Sequence, residues 1–198
     1  MEFLELLDAE IFRGKKRSLS NLRKARRSAS TDAVYLIRLM QYHAACSGKW
    51  HAFRAHQANT SLIRRYGIFV GKNTKIGRGI SFPHPNGIIL GQAVVIGENC
   101  KIFQQVTLGS RHNGDVKHGW QPHIGNNVTL FAGCKLIGNI EIGDGAQIGA
   151  NAVMNKDAAP GSVWAGIPAR KIKDGSDAVR EKAHANAEHY LHYKTWYE

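Results

Sequence analysis

The sequence predicts a mainly β protein, a parallel β-helix of hexapeptide repeats with a helical segment before it and a helical tail after it. Three observations predict this class: an apolar residue that returns every six positions, a glycine that often follows it, and a small or β-branched residue four positions after it. A period of six fits neither an α-helix nor an amphipathic strand. In a parallel β-helix, each short repeat contributes one apolar side chain to a continuous core.

The apolar residue of each repeat, named here the inward position, recurs through the middle of the chain. It is occupied by Val70, Ile76, Phe82, Leu90, Ile96, Ile102, Leu108, Ile124, Leu130, Leu136, Ile142, Ile148 and Met154. The small or β-branched position is occupied by Thr74, Val94, Cys100, Val106, Val128, Cys134, Ala146 and Ala152. We interpret Cys100 and Cys134 as packing groups. The glycine after the inward position is expected to make the bend.

The N-terminal segment, residues 1–67, is predicted to be helical. Leu4, Leu7 and Ile11 recur at helical spacing. A second helix is expected to end near Gly48 and to begin at one of three capping residues, Ser30, Thr31 or Asp32. A further helix is expected to carry Trp50, Phe53, Leu62 and Ile63.

The β-helix is predicted over residues 68–173, with two interruptions of the repeat. Between Phe82 and Leu90 the chain is expected to bulge, because prolines in Pro83-His84-Pro85 cannot donate to a strand ladder. Between Leu108 and Ile124 the spacing exceeds two repeats, and the intervening residues are typical of a loop. Departures from a regular repeat often carry function. Both interruptions contain histidine.

The C-terminal segment, residues 174–198, is predicted to be a helical tail. Its histidines lie among aromatic residues, which favours an interface or packing face over a ligand site. The odd total of three cysteines, without close spacing, argues against a disulfide framework and against a cysteine-based zinc site.

The charge of the chain is strongly positive and uneven. Lys and Arg number 27 against 15 Asp and Glu, which gives a formal net charge of +12. The densest basic run is Arg13, Lys15, Lys16, Arg17, Arg23, Lys24, Arg26 and Arg27. The run lacks interleaved aromatics, and the chain shows no helix-turn-helix, zinc-finger or other nucleic-acid-binding motif. We therefore do not expect a nucleic-acid partner. Peripheral contact with an anionic membrane surface remains open. No long apolar stretch is present, and we expect a cytoplasmic protein.

Three motifs follow one another in an order shared with a known family. They are residues 75–91 around His84, residues 103–109 (Phe-Gln-Gln-Val-Thr-Leu-Gly) and residues 165–170 (Ala-Gly-Ile-Pro-Ala-Arg). Over about residues 68–173 the chain resembles the serine acetyltransferase branch of the hexapeptide-repeat acyltransferases. The resemblance implies a left-handed β-helix, a homotrimer, and acetyl-CoA lying in a groove between neighbouring prisms.

The resemblance also implies the site. His84 falls on the catalytic histidine of the family, a general base that takes the proton of an acceptor hydroxyl as the hydroxyl attacks the thioester. The pattern implies cofactor contacts at Ser110, Ala132, Ala150, Arg170 and Lys171. Small residues would let the backbone approach the pantetheine arm, and the two basic residues would meet the CoA phosphates. We expect no resident metal ion.

Three departures from the family's pattern bear on the acceptor. Pro83 stands where the family has Asp before the catalytic histidine, Phe69 where a second Asp orients it, and Gln121 where a further His precedes a proline. Because these polar groups are missing, we expect a sugar hydroxyl of a surface polysaccharide as acceptor rather than a small zwitterion. The residues expected to face the acceptor are Gln104, Asp115, His118 and Gln121.

Three alternatives remain open. The first is a serine O-acetyltransferase of cysteine biosynthesis. The second is a zinc enzyme resembling γ-type carbonic anhydrases, with His84, His118 and His123 as the metal ligands. The third is an inactive trimeric scaffold, which the missing orienting Asp favours.

Overall fold

The computed structural model describes residues 3–174, arranged as N-terminal helices followed by a stack of very short strands. The helices are α1 (Phe3–Leu7), α2 (Leu19–Ala25), α3 (Ala29–Ala45) and α4 (Lys49–Tyr66), with a π-helical turn at Asp8–Phe12 and a 3-10 turn at Asp115–His118. The strands are β1 (Phe69–Val70), β2 (Lys75–Ile76), β3 (Ile89–Leu90), β4 (Val95–Ile96), β5 (Lys101–Ile102), β6 (Thr107–Gly109), β7 (His123–Ile124), β8 (Thr129–Leu130), β9 (Lys135–Ile137), β10 (Glu141–Ile142), β11 (Gln147–Ile148), β12 (Val153–Met154), β13 (Val163–Ala165) and β14 (Arg170–Lys173).

The strands form three sheets that wrap one core. The first sheet is β1-β3-β6-β9-β12, the second is β2-β4-β7-β10, and the third is β5-β8-β11-β13-β14. Neighbouring strands are parallel and in register, as in the pairing of Ile102 with Leu130 and of Leu130 with Ile148. Only the last pair, β13 with β14, is antiparallel among the described strands. The predicted left-handed parallel β-helix is confirmed.

The core of the prism consists of the residues that the six-residue period predicts. The inward positions are buried, from fully buried Leu90, Leu108 and Leu130 to Ile76 at 9% exposure. The small positions are buried as well, and Cys100 and Cys134 have no exposed surface. Burial raises the pKa of the Cys100 thiol to about 11 and that of Cys134 to about 12, as expected for packing groups.

The glycines after the inward positions have a different role from the expected bend. A Cβ on Gly97 would lie 2.6 Å from the carbonyl carbon of Gly125 in the next coil, so glycines such as Gly97 allow neighbouring coils to approach closely. The bends are made elsewhere, by residues with positive φ such as Asn99 (54°) and Asn127 (55°), which stack at one corner. Asn tolerates the left-handed region better than most side chains do.

The N-terminal helices are fixed to the first coil of the prism by a buried ion pair. Arg38 Nη2 lies 2.8 Å from Glu10 Oε1, and both side chains are almost fully buried. Arg38 also donates to the carbonyl oxygens of Ile76 and Gly77, while Glu10 accepts from the backbone N–H of Gly79. The charges are therefore satisfied by each other and by the coil.

The helix boundaries differ from the prediction at one point. Helix α3 begins at Ala29 and is capped by Ser28, whose Oγ accepts from the backbone N–H of Thr31. The predicted caps Ser30, Thr31 and Asp32 lie inside the first turn. Asp32 instead is buried and binds the side chains of Arg26, Arg65 and Tyr66.

Within residues 3–174, none of the helices has the length and the apolar content that crossing a membrane requires. The predicted helical tail lies outside the described residues, apart from Asp174. The division into segments 1–67, 68–173 and 174–198 stays a prediction.

Candidate active site

The histidine of the first predicted bulge, His84, is exposed on a segment whose backbone is held from both sides. Asn86 N–H donates to the carbonyl oxygen of His84 (2.8 Å), and the carbonyl of Asn86 accepts from Gln105 in the next coil (2.9 Å). Gly87 N–H donates to the carbonyl of Tyr66 (2.9 Å). Pro85 is buried beneath the bulge. The imidazole is thus carried on a fixed backbone while its ring faces solvent.

The end of helix α4 supports this bulge through Tyr66. While its carbonyl accepts from Gly87, its phenol donates to Asp32 Oδ2 (2.9 Å). Burial, followed by the hydrogen bond to Asp32, raises the pKa of Tyr66, so the phenol is protonated and donates at neutral pH. Helix α4 is therefore connected directly to the His84 segment, and helix α3 is connected to it through Asp32 and Tyr66.

The nearest ring to His84 is Phe103. The two ring centroids are 6.2 Å apart with an interplanar angle of 53°, and Phe103 stacks on Phe131 of the following coil at 5.4 Å. In the described part of the protomer, the His84 imidazole forms no hydrogen bond to a carboxylate. Phe69, at the position of the family's orienting Asp, points outward from β1 and is 42% exposed.

Several of the predicted cofactor and acceptor positions lie on the same corner of the prism as His84. This corner joins the third sheet to the first, and we name it the His84 edge. It carries His84, Gln104, Ala132 and Ala150 on successive coils. Backbone hydrogen bonds from Gly133 to Gln104 (2.9 Å) and from Asn151 to Ala132 (2.8 Å) set the coils in register along it.

The His84 edge has features that fit an extended ligand with an amide-containing arm. The side chains at 132 and 150 are alanines, so the backbone is accessible at two successive coils. Gln104 Oε1 is buried and has no hydrogen-bond partner among the described residues. Such an acceptor is costly unless a bound group or a neighbouring chain satisfies it.

The predicted phosphate contacts, Arg170 and Lys171, lie on the terminal strand β14. They are exposed and pair in register with Ala165 and Trp164 of β13. Lys171 Nζ forms an ion pair with Asp174 at 2.5 Å. Both basic groups are therefore at the C-terminal end of the stack, beyond Ala150.

Ser110 and the second interruption lie at a different corner. After β6 the chain leaves the prism as residues 110–122, named here the long loop, and returns to the second sheet at β7. Within one protomer, the width of the first sheet therefore separates the long loop from the His84 edge. Ser110 is not brought together with His84, Ala132 or Ala150 in the single chain.

The acceptor candidates of the long loop make internal contacts. Asp115 is buried, and its Oδ2 accepts from the backbone N–H groups of Arg111 (3.0 Å) and His112 (2.7 Å). His118 stacks on Trp120 with ring centroids 4.8 Å apart. Asp115 therefore shapes the turn of the loop.

Gln121 lies at the base of the long loop with only 1% of its surface exposed. Its Nε2 donates to the carbonyl of Trp120 (3.0 Å), whereas its Oε1 is buried without a partner in the described structure. Among the histidines of the zinc alternative, His123 is exposed on the second sheet and is not grouped with His84. Residues 3–174 bring no three His, Cys, Asp or Glu side chains together as a metal site.

Two contacts of the candidate site were missed by sequence reasoning. The aromatic pair Phe103 and Phe131 has a signal in the sequence, because each phenylalanine directly follows an inward position where other repeats have glycine. The support of the bulge by Tyr66 and Asp32 has no such signal. Those residues lie in separate helices, and only the tertiary fold brings them together.

Comparison with known proteins agrees with this architecture. Residues 121–156 match the family model described as bacterial transferase hexapeptide (six repeats). A serine acetyltransferase of Salmonella typhimurium is 35% identical over 154 residues, which cover 75% of this chain and 56% of that protein. A serine acetyltransferase of Staphylococcus aureus is 38% identical over 122 residues, covering 61% and 55% of the two chains. The chain thus spans just over half the length of these curated relatives.

A solved structure also relates the chain to serine acetyltransferases. A serine acetyltransferase in complex with CoA superposes with a TM-score of 0.66 at 26% identity, covering 86% of this chain and 69% of that one. The predicted sugar acceptor of a surface polysaccharide is wrong, because the curated relatives and the solved CoA complex are serine acetyltransferases. Residues 121–156 of the chain therefore carry the hexapeptide repeat of bacterial transferases, and serine acetyltransferases are among its homologues.

Proposed function

We propose that this protein is a serine O-acetyltransferase that moves an acetyl group from acetyl-CoA to the hydroxyl of L-serine. One observation carries the proposal: an exposed histidine, His84, stands on a fixed bulge at the head of an edge that has room for an extended ligand. The similarity to serine acetyltransferases over three-quarters of the chain supports the choice of acceptor.

His84 is the general base of the proposed reaction. Its neutral imidazole accepts the proton of the serine hydroxyl while the hydroxyl oxygen forms a bond to the carbonyl carbon of the acetyl group. As the carbon–sulfur bond breaks, the imidazolium returns that proton to the leaving sulfur. Acetyl-CoA, when bound, supplies the acetyl group as a thioester. An imidazole suits both steps because it exchanges a proton near neutral pH.

The His84 edge is proposed to hold acetyl-CoA. Ala132 and Ala150 leave the backbone open to the pantetheine arm, and the buried oxygen of Gln104 would accept from one of its amides. Arg170 and Lys171, at the far end of the stack, would bind the phosphates. Ser110 is proposed to contact the same arm from the long loop of a neighbouring protomer.

A homotrimer is proposed because it would place the long loop of one prism beside the His84 edge of the next. In that arrangement Gln121 and His118 could approach the acceptor, which they do not do within one chain. The unpartnered Oε1 of Gln121 would then face the serine ammonium group. Asp115 would act on the acceptor only through the shape of the loop, and contact with an anionic membrane surface stays a prediction.

The test is thiol release from acetyl-CoA by the purified protein with and without L-serine. We expect release that depends on serine and falls at least a hundredfold in His84→Ala, since general-base removal costs on the order of 10²–10⁴. His56→Ala, which removes an exposed histidine of helix α4, is the control. Normal CoA binding with no serine-dependent release would contradict the proposal and favour an inactive scaffold. If the His84→Ala variant still releases thiol at the wild-type rate, His84 is not the general base.

A further inference from the structure

The N-terminal helices enclose a cavity that lies outside the prism. It has a volume of about 580 Å³ and is partly open to solvent. Its floor is apolar, formed by Ile11, Phe12 and Ala25, and its wall includes polar groups of Asn21, Ser28 and Thr31. This volume lies in the range of small-molecule sites, roughly 300–1,000 Å³. We name it the basic cavity because its remaining lining residues are arginines and lysines.

Those remaining residues are all cationic. Arg13, Lys15, Lys24 and Arg27 line the basic cavity, and no Asp or Glu does. Like charges held around one space repel each other unless an anion joins them. Each of the four side chains is exposed. Arg13 Nε donates to the carbonyl oxygen of Glu10 (3.1 Å), so a ligand would meet the terminal nitrogens of Arg13.

The carboxylates of the surrounding elements are already bound to other cations. Asp8 pairs with Arg17, Glu10 with Arg38, and Asp32 with both Arg26 and Arg65. None of these partners lines the basic cavity. The hydrogen bond from Arg17 holds the pKa of Asp8 below its usual value, so that carboxylate stays engaged at neutral pH. Within the described chain, the four cavity cations are therefore left without a carboxylate partner.

We propose that the basic cavity binds a phosphate-bearing anion. Phosphate oxygens accept charge-assisted hydrogen bonds from several donors at once, and Arg matches their geometry with two parallel bonds. Ser28 and Thr31 stand at the first turn of α3, whose N-terminus adds a favourable dipole. The apolar floor fits the carbon skeleton that carries the phosphate. The site is independent of the proposed acetyl transfer.

Such a phosphate has two sources, a soluble diphosphate or the headgroup of an anionic phospholipid. The experiment therefore has two arms on the full-length protein. Inorganic pyrophosphate is titrated by calorimetry, and phosphatidylglycerol vesicles are cosedimented beside phosphatidylcholine vesicles. The test variant is Lys24→Glu/Arg27→Glu. The control is Arg23→Glu/Arg64→Glu, which changes the net charge equally at exposed positions that do not line the cavity.

We expect the wild type to bind in at least one arm, with affinity reduced tenfold or more in the test variant and less than twofold in the control. Binding of pyrophosphate assigns a soluble ligand, and binding of phosphatidylglycerol vesicles alone assigns a lipid headgroup. Absence of binding in both arms, or equal loss in both variants, would overturn the proposal. Serine-dependent thiol release in the test variant is expected to equal that of the wild type, which separates this site from the proposed reaction.

Discussion

Phe103 provides an aromatic ring beside His84, where the described protomer offers no orienting carboxylate. Its ring lies 6.2 Å from the imidazole and is itself fixed by stacking on Phe131. Packing of this kind restricts the rotamer of an imidazole that has no hydrogen-bonded acid. The proposed base is therefore positioned by an apolar neighbour, and its ring nitrogens remain open to substrate and solvent.

We predict that Phe103→Ala lowers kcat about tenfold while changing KM for serine little. The reason is that a base displaced by about 1 Å loses much of its effect, whereas substrate binding groups elsewhere are unchanged. Steady-state kinetics would measure the split between kcat and KM. Phe103→Leu is expected to restore part of kcat, and Phe53→Ala, at an exposed position of α4, should have no effect. A Phe103→Ala enzyme with unchanged kcat would show that the ring does not position His84.

At the scale of the element, each coil depends on close backbone approach to the next. Gly97 and Gly109 both follow an inward position, yet their surroundings differ. A Cβ at 97 would meet the backbone of Gly125 at 2.6 Å, whereas a Cβ at 109 would meet nothing within 4 Å. Neither glycine has a positive φ, so space alone distinguishes them.

We predict that Gly97→Ala lowers the free energy of unfolding by about 1–3 kcal/mol, as overpacking of a dense core does. Gly109→Ala is the matched control and should cost about 0.5 kcal/mol or less. Urea denaturation followed by circular dichroism would give both values. An equal loss of unfolding free energy in the two variants would mean that close contact between coils is not the reason for a glycine at position 97.

The junction between the helices and the prism depends on one buried ion pair, Glu10 with Arg38. We predict that Arg38→Met destabilises the protein by about 3–5 kcal/mol, because Glu10 would keep a buried charge without its partner. The double variant Glu10→Leu/Arg38→Met should cost less than Arg38→Met alone. Thermal or urea unfolding of the single and double variants measures the difference. A double variant less stable than Arg38→Met would show that the pair itself, rather than the unpaired charge, supplies the stability.

At the scale of the whole molecule, the proposed site requires more than one chain. The His84 edge and the long loop lie at different corners of one prism, so acceptor contacts from Gln121 require a neighbouring protomer. We predict a mass of about 66 kDa by sedimentation velocity, three times that of the 21.9 kDa chain. A monomer that retains full serine-dependent activity would contradict this assembly of the site.

The sequence predicts the prism well and the connections of the helices poorly, for a physical reason. The six-residue period allows one inward direction per repeat, so Leu90, Ile102 and Leu130 could be placed from spacing alone. Pairs such as Glu10 with Arg38 join residues that are distant in sequence, and no local pattern encodes them. The predicted role of Asp115 rested on its position in a loop, and that of Gln121 on its position in the family's pattern. Neither reveals whether a side chain faces solvent or its own backbone.

The two ends of the prism show how a stack of open-ended coils stays finite. Polar atoms of the first coil that would otherwise pair with a preceding coil are taken by Arg38 and Glu10, and the other end finishes in the antiparallel pair of β13 and β14. An uncovered terminal coil would present strand edges with unpaired N–H and C=O groups, to which the coil of a second prism could bind. The helical segment thus covers the first coil and blocks the stacking of a second prism on it, whatever else the segment binds.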